Sequence, residues 1–357
     1  MTSALLDVRD LRKLFPIRGG LFNRATATVR AVDGVSFQVG AGETLGVVGE
    51  SGCGKSTTAR LVMHLIDHDE GSIAFDGKTA GSSQMPLKEL RRNMQMVFQD
   101  SFASLNPRLT VEESIAFGPK VHGLGANAAR DRARDLLARV GLDPAHFIRR
   151  YPHELSGGQR QRVNIARALA LQPKLVILDE SVSALDKSVQ AQVLNLLADL
   201  KQEFNLTYLF ISHDLNVVQY MSDRVMVMYL GQVVEIGPVA ALYRTPAHPY
   251  TGALLSAMPS LDPDRRTAAP PLTGDPPNPI NPPSGCRFRT RCPHAEAVCE
   301  HQVPALAPVS APRRPGAGRD PEGAPVSAST SHLAACHLMN TNSGHSKAGQ
   351  IRIAVDA

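Results

Sequence analysis

The sequence predicts an α/β protein: a doubly wound sheet built around a phosphate-binding loop, with an inserted helical subdomain and a small cysteine-bearing C-terminal region. Three observations carry this. Residues 49–56 read Gly-Glu-Ser-Gly-Cys-Gly-Lys-Ser, which fits Gly-x-x-x-x-Gly-Lys-Ser; roughly a hundred residues on comes Leu155-Ser156-Gly157-Gly158-Gln159; and Leu175-Val176-Ile177-Leu178 then runs into Asp179-Glu180. A length of 357 residues allows two or three domains.

Glu43 to Val48 is an apolar run short enough for a buried strand, and Thr57 to Ile66 carries apolar positions three and four apart, as a helix does. Strand, loop and helix therefore follow in the order a phosphate loop needs, which separates it from the many glycine-rich turns that precede helices. Gly49, Gly52 and Gly54 let the backbone turn its N–H groups inward, and the helix offers its positive end to the β- and γ-phosphates. The nucleotide-binding residues so predicted are Gly49, Glu50, Ser51, Gly52, Cys53, Gly54, Lys55, Ser56 and Thr57. Lys55 supplies the charge on the phosphates and Ser56 a hydroxyl ligand for Mg²⁺, while Cys53 is a tolerated small residue.

Leu175 to Leu178 is a buried-strand pattern, and acids at the carboxyl end of such a strand lie beside the ligand crevice of a doubly wound sheet. Asp179 is the expected Mg²⁺ ligand and Glu180 the expected general base for an attacking water. An isolated acidic pair reads equally well as a solvated strand end; the upstream loop decides for chemistry. Ser156, Gly157, Gly158 and Gln159 open a helical run with an apolar stripe at Val163, Ala166, Leu169 and Ala170, which makes a second anion-seeking helix end. Two such ends do not easily meet on one γ-phosphate within one compact fold. The economical solution is a dimer in which each chain's Ser156 segment closes over its partner's nucleotide.

With these three motifs in this order, the chain from about Leu6 to Leu338 resembles an ATP-binding-cassette (ABC) ATPase. The resemblance implies further roles. Gln99 matches the glutamine loop that touches Mg²⁺ and water, Ser183 to Asp186 matches the loop that contacts the partner cassette, and His213 matches the switch histidine on the γ-phosphate. Phe15 matches the adenine-stacking aromatic, although an ordinary core phenylalanine is the competing reading. Phe15 to Leu21, Ala31 to Phe37 and Ala103 to Arg108 are similar to the ATPase subunits of bacterial dipeptide and oligopeptide importers, the F-type more than the D-type. In such systems two ATPases pair beneath two permease proteins, and an extracytoplasmic binding protein delivers the peptide. Ser181, Lys187 and Ser101 depart from the family pattern, which expects proline at the first and third and a small or apolar residue at the second. They put the loop geometry around Glu180 in question.

Residues 1–245 are expected to form the ATPase domain, its core from 6–98 and 166–240 with an antiparallel β flank and its helical subdomain at about 100–165. Val189, Val193, Leu196, Leu197, Leu200 and Phe204 form a helical face before the strand Thr207 to Ile211, and Arg224 to Ile236 reads as a hairpin through Gly231. Dense proline makes 246–285 a linker, with no regular helix between roughly 262 and 285. Residues 286–340 form the cysteine region, interrupted by a Pro/Ala/Gly-rich stretch, about 304–330, expected to be a disordered loop, and 341–357 form a tail. No signal peptide and no membrane-spanning run is apparent, so the expected location is the cytoplasmic side of the inner membrane, bound through partners. A net charge of +5 without a clustered basic face or aromatic platforms argues against nucleic acid.

Four cysteines, Cys286, Cys292, Cys299 and Cys336, lie in the C-terminal region. A reducing compartment disfavours disulfides and points to metal. Zinc prefers a gap of two to four residues in one pair, whereas these gaps are five, six and thirty-six; Cys292-Pro293 suggests iron–sulfur ligation. The segments Gly285 to Phe288, Arg291 to Pro293 and Ala335 to His337 are similar to the C-terminal region of peptide-importer ATPases, which implies a [4Fe-4S] cluster. Zinc and buried free thiols remain open. The leading functional reading is therefore the ATP-hydrolysing motor of an importer of dipeptides, oligopeptides or related small solutes. The alternative is a soluble cassette ATPase acting on nucleic acid or the ribosome. Such proteins usually fuse two cassettes or carry a long coiled coil, and neither signal is present. A third reading makes the cysteine region a redox or metal sensor.

Overall fold

The computed structural model describes residues 4–19, 24–258, 274–309, 332–350 and 353. The strands in chain order are β1 (Ala4–Gly19), β2 (Arg24–Gly40), β3 (Thr44–Val48), β4 (Glu70–Phe75), β5 (Lys78–Thr79), β6 (Met94–Val97), β7 (Leu175–Asp179), β8 (Thr207–Ile211), β9 (Arg224–Tyr229), β10 (Gln232–Pro238), β11 (Ala307–Pro308) and β12 (Leu333–Ala334). They make two sheets, β2-β1-β4-β5 and β11-β12-β10-β9-β3-β8-β7-β6.

In the larger sheet β6, β7, β8, β3 and β9 run parallel. Strands covered on both faces read as continuous apolar runs rather than alternating ones, and every residue of β3, β7, β8 and β9 is buried. Antiparallel β10 closes the expected hairpin on β9. Its turn residues Leu230 and Gly231 have φ of 44° and 81°, the double left-handed geometry of a tight two-residue turn. The smaller sheet is the antiparallel flank: Leu6, Val8, Leu11, Val35 and Val39 share a core with Leu45 and Val47 of β3 and with Leu61 and Val62 of the helix Lys55–Val62. That shared core seats the phosphate loop, because each of these aliphatic side chains contributes about 1.5–3 kcal/mol by leaving water.

The helical subdomain consists of Val111–Val121, Ala126–Arg139, Pro144–Phe147 and Gly157–Leu169. Thr110 starts the first with a reciprocal cap against Glu113, and Ile115, Ala133, Leu136, Leu137 and Val163 bury together against the main sheet's core.

Two expectations for the C-terminal part are corrected. The stretch 246–285 is not wholly linker, since Pro249–Ser256 is a helix with Pro249 in its first turn and His248 Nδ1 accepting from the Tyr250 N–H at 3.1 Å; proline costs nothing there, where its missing N–H has no helical partner anyway. Of the expected disordered loop, 310–331 lie outside the described residues, while Ala307–Pro308 pairs with β12 and β12 pairs with β10. The region around the cysteines is fastened to the ATPase core: Phe288, 2% exposed, packs its ring against Tyr229, Tyr250 and His248. Arg287 bonds the Asp33 carboxylate and the Leu230 carbonyl. Among the described residues no helix is long and apolar enough to cross a membrane.

Candidate nucleotide site

The loop leaves β3 at Gly49, whose φ is 150° and where a Cβ would lie 2.2 Å from the Met228 carbonyl oxygen. Only glycine fits, which is why the chain can turn so sharply beneath the hairpin. Lys55, at the start of the following helix, is 6% exposed and donates to the loop's own carbonyls, Gly49 O at 2.7 Å and Glu50 O at 3.0 Å. Phosphate oxygens in those directions offer the ammonium a stronger, charge-assisted bond. Cys53 lies against it, Sγ 3.8 Å from Nζ, and burial pushes its thiol up although Lys55 pulls it down.

Ser56 Oγ donates to Asp179 Oδ1 at 2.9 Å. Burial raises the Asp179 carboxyl above its ordinary value, partly opposed by the Ser56 bond and reinforced by Glu180. A serine hydroxyl and a carboxylate converging at the end of the buried strand β7 are the hard-oxygen set that suits Mg²⁺, and a divalent cation there would favour the ionised carboxylate against the burial that raises it. Glu180 follows at φ 45°, its N–H donating to Ile211 O at 2.9 Å. This left-handed turn swings the carboxylate away from the strand. There it accepts from Gln99 Nε2 at 2.8 Å and lies 3.5 Å from His213 Nδ1. The segments that follow β6, β7 and β8 thus meet at one point, as the parallel order of those strands dictates.

The departures from the family pattern leave this geometry standing. Ser183 Oγ and N–H both return to Glu180 O, at 2.9 and 3.2 Å. Ser181 is buried, its hydroxyl without a partner among the described residues. Lys187 pairs with Asp214 at 3.0 Å, which joins the helix Lys187–Phe204 to the residue beside His213; at 84% exposure of the lysine this pair is worth little. Ser101 O accepts from Asn164 Nδ2 at 3.0 Å, and Arg167 bonds Ser104 O. These two residues were missed in the sequence; the signal was polar side chains on the inner side of an amphipathic helix, Asn164 being 1% exposed. They tie the segment after Gln99 to the helix that Ser156 begins.

Ser156 and Gln159 form a reciprocal cap: Oγ accepts from the Gln159 N–H at 3.3 Å and Gln159 Oε1 accepts from the Ser156 N–H at 3.0 Å. The serine proton is left to donate elsewhere. A Cβ on Gly158 would lie 2.5 Å from Val189 Cγ1 and one on Gly157 3.6 Å from Leu185, so this helix end packs on the segment around Asp186. The exposed Asp186 carboxylate makes no cap bond to its own helix. Among the described residues no hydrogen bond joins Ser156 to Gln159 with the phosphate loop. Phe15 is not a core residue; it is 39% exposed on β1, with Lys13 Nζ 5.7 Å from its ring centre.

Cys286, Cys292, Cys299 and Cys336 line one cavity of about 10 Å³ with His294, His337 and His345, and all are free thiols. Burial raises Cys286, pushes Cys292 up to about 11 and Cys336 up to about 12, the neighbouring cysteines adding to each. Among the described residues no three or more His, Cys, Asp or Glu side chains converge closely enough to hold a metal ion.

Residues 32–183 match the family model for the ABC transporter, and residues 234–299 match that for the oligopeptide/dipeptide transporter C-terminal region. The chain is 51% identical to the oligopeptide transport ATP-binding protein AppF of Bacillus subtilis, across 94% of this chain and 97% of that one. The chain belongs to the ABC transporter ATP-binding family. The oligopeptide transport ATP-binding protein OppF of Salmonella typhimurium is also 51% identical, over 85% of this chain and 92% of its own. Among solved structures, the ATP-binding cassette MJ0796, a dimer bound to ADP and phosphate, superposes with a TM-score of 0.58 at 28% identity, covering 66% of this chain and 98% of that one. CbiO1 of Clostridium perfringens, part of an ABC transporter complex, gives the same TM-score and identity over 67% and 90%. This ABC subunit is an ATPase. At its phosphate loop Lys55 is held on the loop carbonyls and Ser56 on Asp179, and the neighbouring Glu180 is bonded to Gln99 and lies 3.5 Å from His213.

Proposed function

We propose that this subunit hydrolyses ATP to drive the import of dipeptides or oligopeptides through a membrane permease. The observation that carries the catalytic part is the Glu180 carboxylate held between Gln99 and His213 beside the Ser56–Asp179 pair. The solute class is supported by the match of residues 234–299 to the oligopeptide/dipeptide transporter region and by the relatives' peptide-transport names. Two cassettes, this one with a second of the same or a different kind, close on ATP with each Ser156 segment over the other's nucleotide, Asp186 contacting the partner and Phe15 against the adenine. They sit on the cytoplasmic face of the membrane beneath two permease subunits, fed by an extracytoplasmic solute-binding protein. Nucleic acid has no part in this reading.

Mg²⁺ bound to Ser56 and Asp179, with Gln99 nearby, supplies charge neutralisation at the phosphates. The four tail cysteines are the proposed residues for a [4Fe-4S] cluster; they share their cavity of about 10 Å³ with histidines and do not converge closely enough to hold a metal ion as they stand. Burial raises Cys286, Cys292 and Cys336, so loading would release protons, and the thiols would have to rearrange to admit the cluster.

Reconstituted with its permease and binding protein, the wild type takes up labelled tripeptide in an ATP-dependent way. Glu180→Gln keeps ATP binding while turnover falls by about a hundredfold or more. Full ATPase activity in that variant rejects Glu180 as base; ATPase activity without peptide uptake rejects the solute.

A further inference from the structure

The C-terminal region reaches into the phosphate loop at one residue. The Arg291 guanidinium grips the Glu50 carboxylate with both arms, Nη1 to Oε2 at 2.8 Å and Nη2 to Oε1 at 3.0 Å, and the arginine side chain is 5% exposed. The Glu50 N–H donates to the Tyr250 hydroxyl at 2.9 Å, and its carbonyl accepts from Lys55. Side chain, amide and carbonyl of a single loop residue are therefore all engaged, two of the three by residues beyond position 245. Tyr250 is itself fixed, fully buried with its ring 4.6 Å from that of Tyr229 and 5.4 Å from that of Phe288.

Glu50 poses an electrostatic problem for a site whose ligand is a polyanion. An unpaired carboxylate next to Lys55 repels the phosphates and competes for the ammonium. A bidentate arginine cancels that charge and fixes its direction, which a lysine's single point charge does not do. We propose that Arg291, assisted by Tyr250, is a positioning residue for ATP: it neutralises Glu50 and holds the loop in its phosphate-receiving form, so that nucleotide affinity depends on the cysteine-bearing region. The proposal rests on the loop being the ATP site, and the wild-type binding measurement tests that separately.

The test is equilibrium binding of ATP and steady-state ATPase kinetics on the full-length protein. Arg291→Ala raises Kd and KM for ATP about tenfold or more, as expected when one partner of a desolvated pair is removed, with kcat within about threefold of wild type. Adding Glu50→Gln to Arg291→Ala removes the stranded charge and lowers KM by at least about threefold from that of the single variant. Arg291→Lys falls between, keeping the charge and losing the fork, and serves if the alanine variant does not fold. A purely structural contact predicts the reverse: loss of stability, no rescue by Glu50→Gln and an unchanged KM in folded Arg291→Lys. Either an unchanged KM in folded Arg291→Ala or Arg291→Lys, or a double variant no better than the single, overturns the proposal. Wild type that fails to bind ATP overturns the site assignment instead.

Discussion

Asp179 is a carboxylate kept in a place that penalises its charge until a cation arrives. Its pKa is raised by burial, so its contribution to stability is fully present below the ordinary carboxylate value of about 4 and is lost as pH rises through the higher folded value. Asp179→Asn abolishes that loss. Thermal unfolding of the nucleotide-free variant is expected at a higher temperature than wild type at pH 7, with the two converging below about pH 4. Mg²⁺ with ATP reverses the order at pH 7, since the asparagine lacks the charge the cation needs. Equal melting temperatures for the two nucleotide-free proteins at pH 7 contradict the account. At this scale the sequence was most readable: Lys55, Ser56, Asp179 and Glu180 follow from motif chemistry, and Gln99 and His213 from the family pattern. Arg291 and Tyr250 were not readable, because an ion pair spanning 241 residues leaves no local spacing to recognise.

The helix Gly157–Leu169 begins at a residue, Ser156, that caps its own element and in the proposed dimer also closes on the partner's nucleotide. Ser156 accepts a bond as helix cap and has its proton free for a phosphate. The two roles separate by substitution. Ser156→Ala loses the cap, about 1 kcal/mol of stability, and the ATP-dependent dimer. Ser156→Asp retains the cap and its stability, yet places a carboxylate where the neighbouring nucleotide must come, so ATP-dependent dimerisation measured by light scattering is still lost. A dimer formed by Ser156→Asp as readily as by wild type refutes closure by this helix end. Elements of this kind were legible because their signals are local: the Ser/Gln cap, the apolar stripe, the turn at Leu230-Gly231. The helix Pro249–Ser256 was hidden by the prolines around it, since proline in a first helical turn and proline in a linker look alike until tertiary contacts distinguish them. The strands Ala307–Pro308 and Leu333–Ala334 are two residues each and carry no periodicity at all.

For the molecule as a whole, the ring of Phe288 joins the C-terminal region to the same apolar core as the helical subdomain and the main sheet. Phe288→Ala is expected to cost about 3–5 kcal/mol and to lower the urea midpoint of the entire ATPase, read by tyrosine fluorescence and by loss of ATP binding together. A region folding apart from the ATPase would instead give two transitions, with nucleotide binding unmoved. Composition divided the chain into motor, linker and tail, and it could not reveal how far the last part is built into the first.

The strand Leu333–Ala334 pairs with the outer side of Gln232–Pro238 and is itself flanked by Ala307–Pro308, and His332 meets the fully buried Glu235 carboxylate at 2.7 Å. On the ribosome, the roughly one hundred residues between these segments take about five to twenty seconds to synthesise. For that interval the outer edge of Gln232–Pro238 lacks the strand that later pairs with it, and the Glu235 carboxylate lacks its histidine.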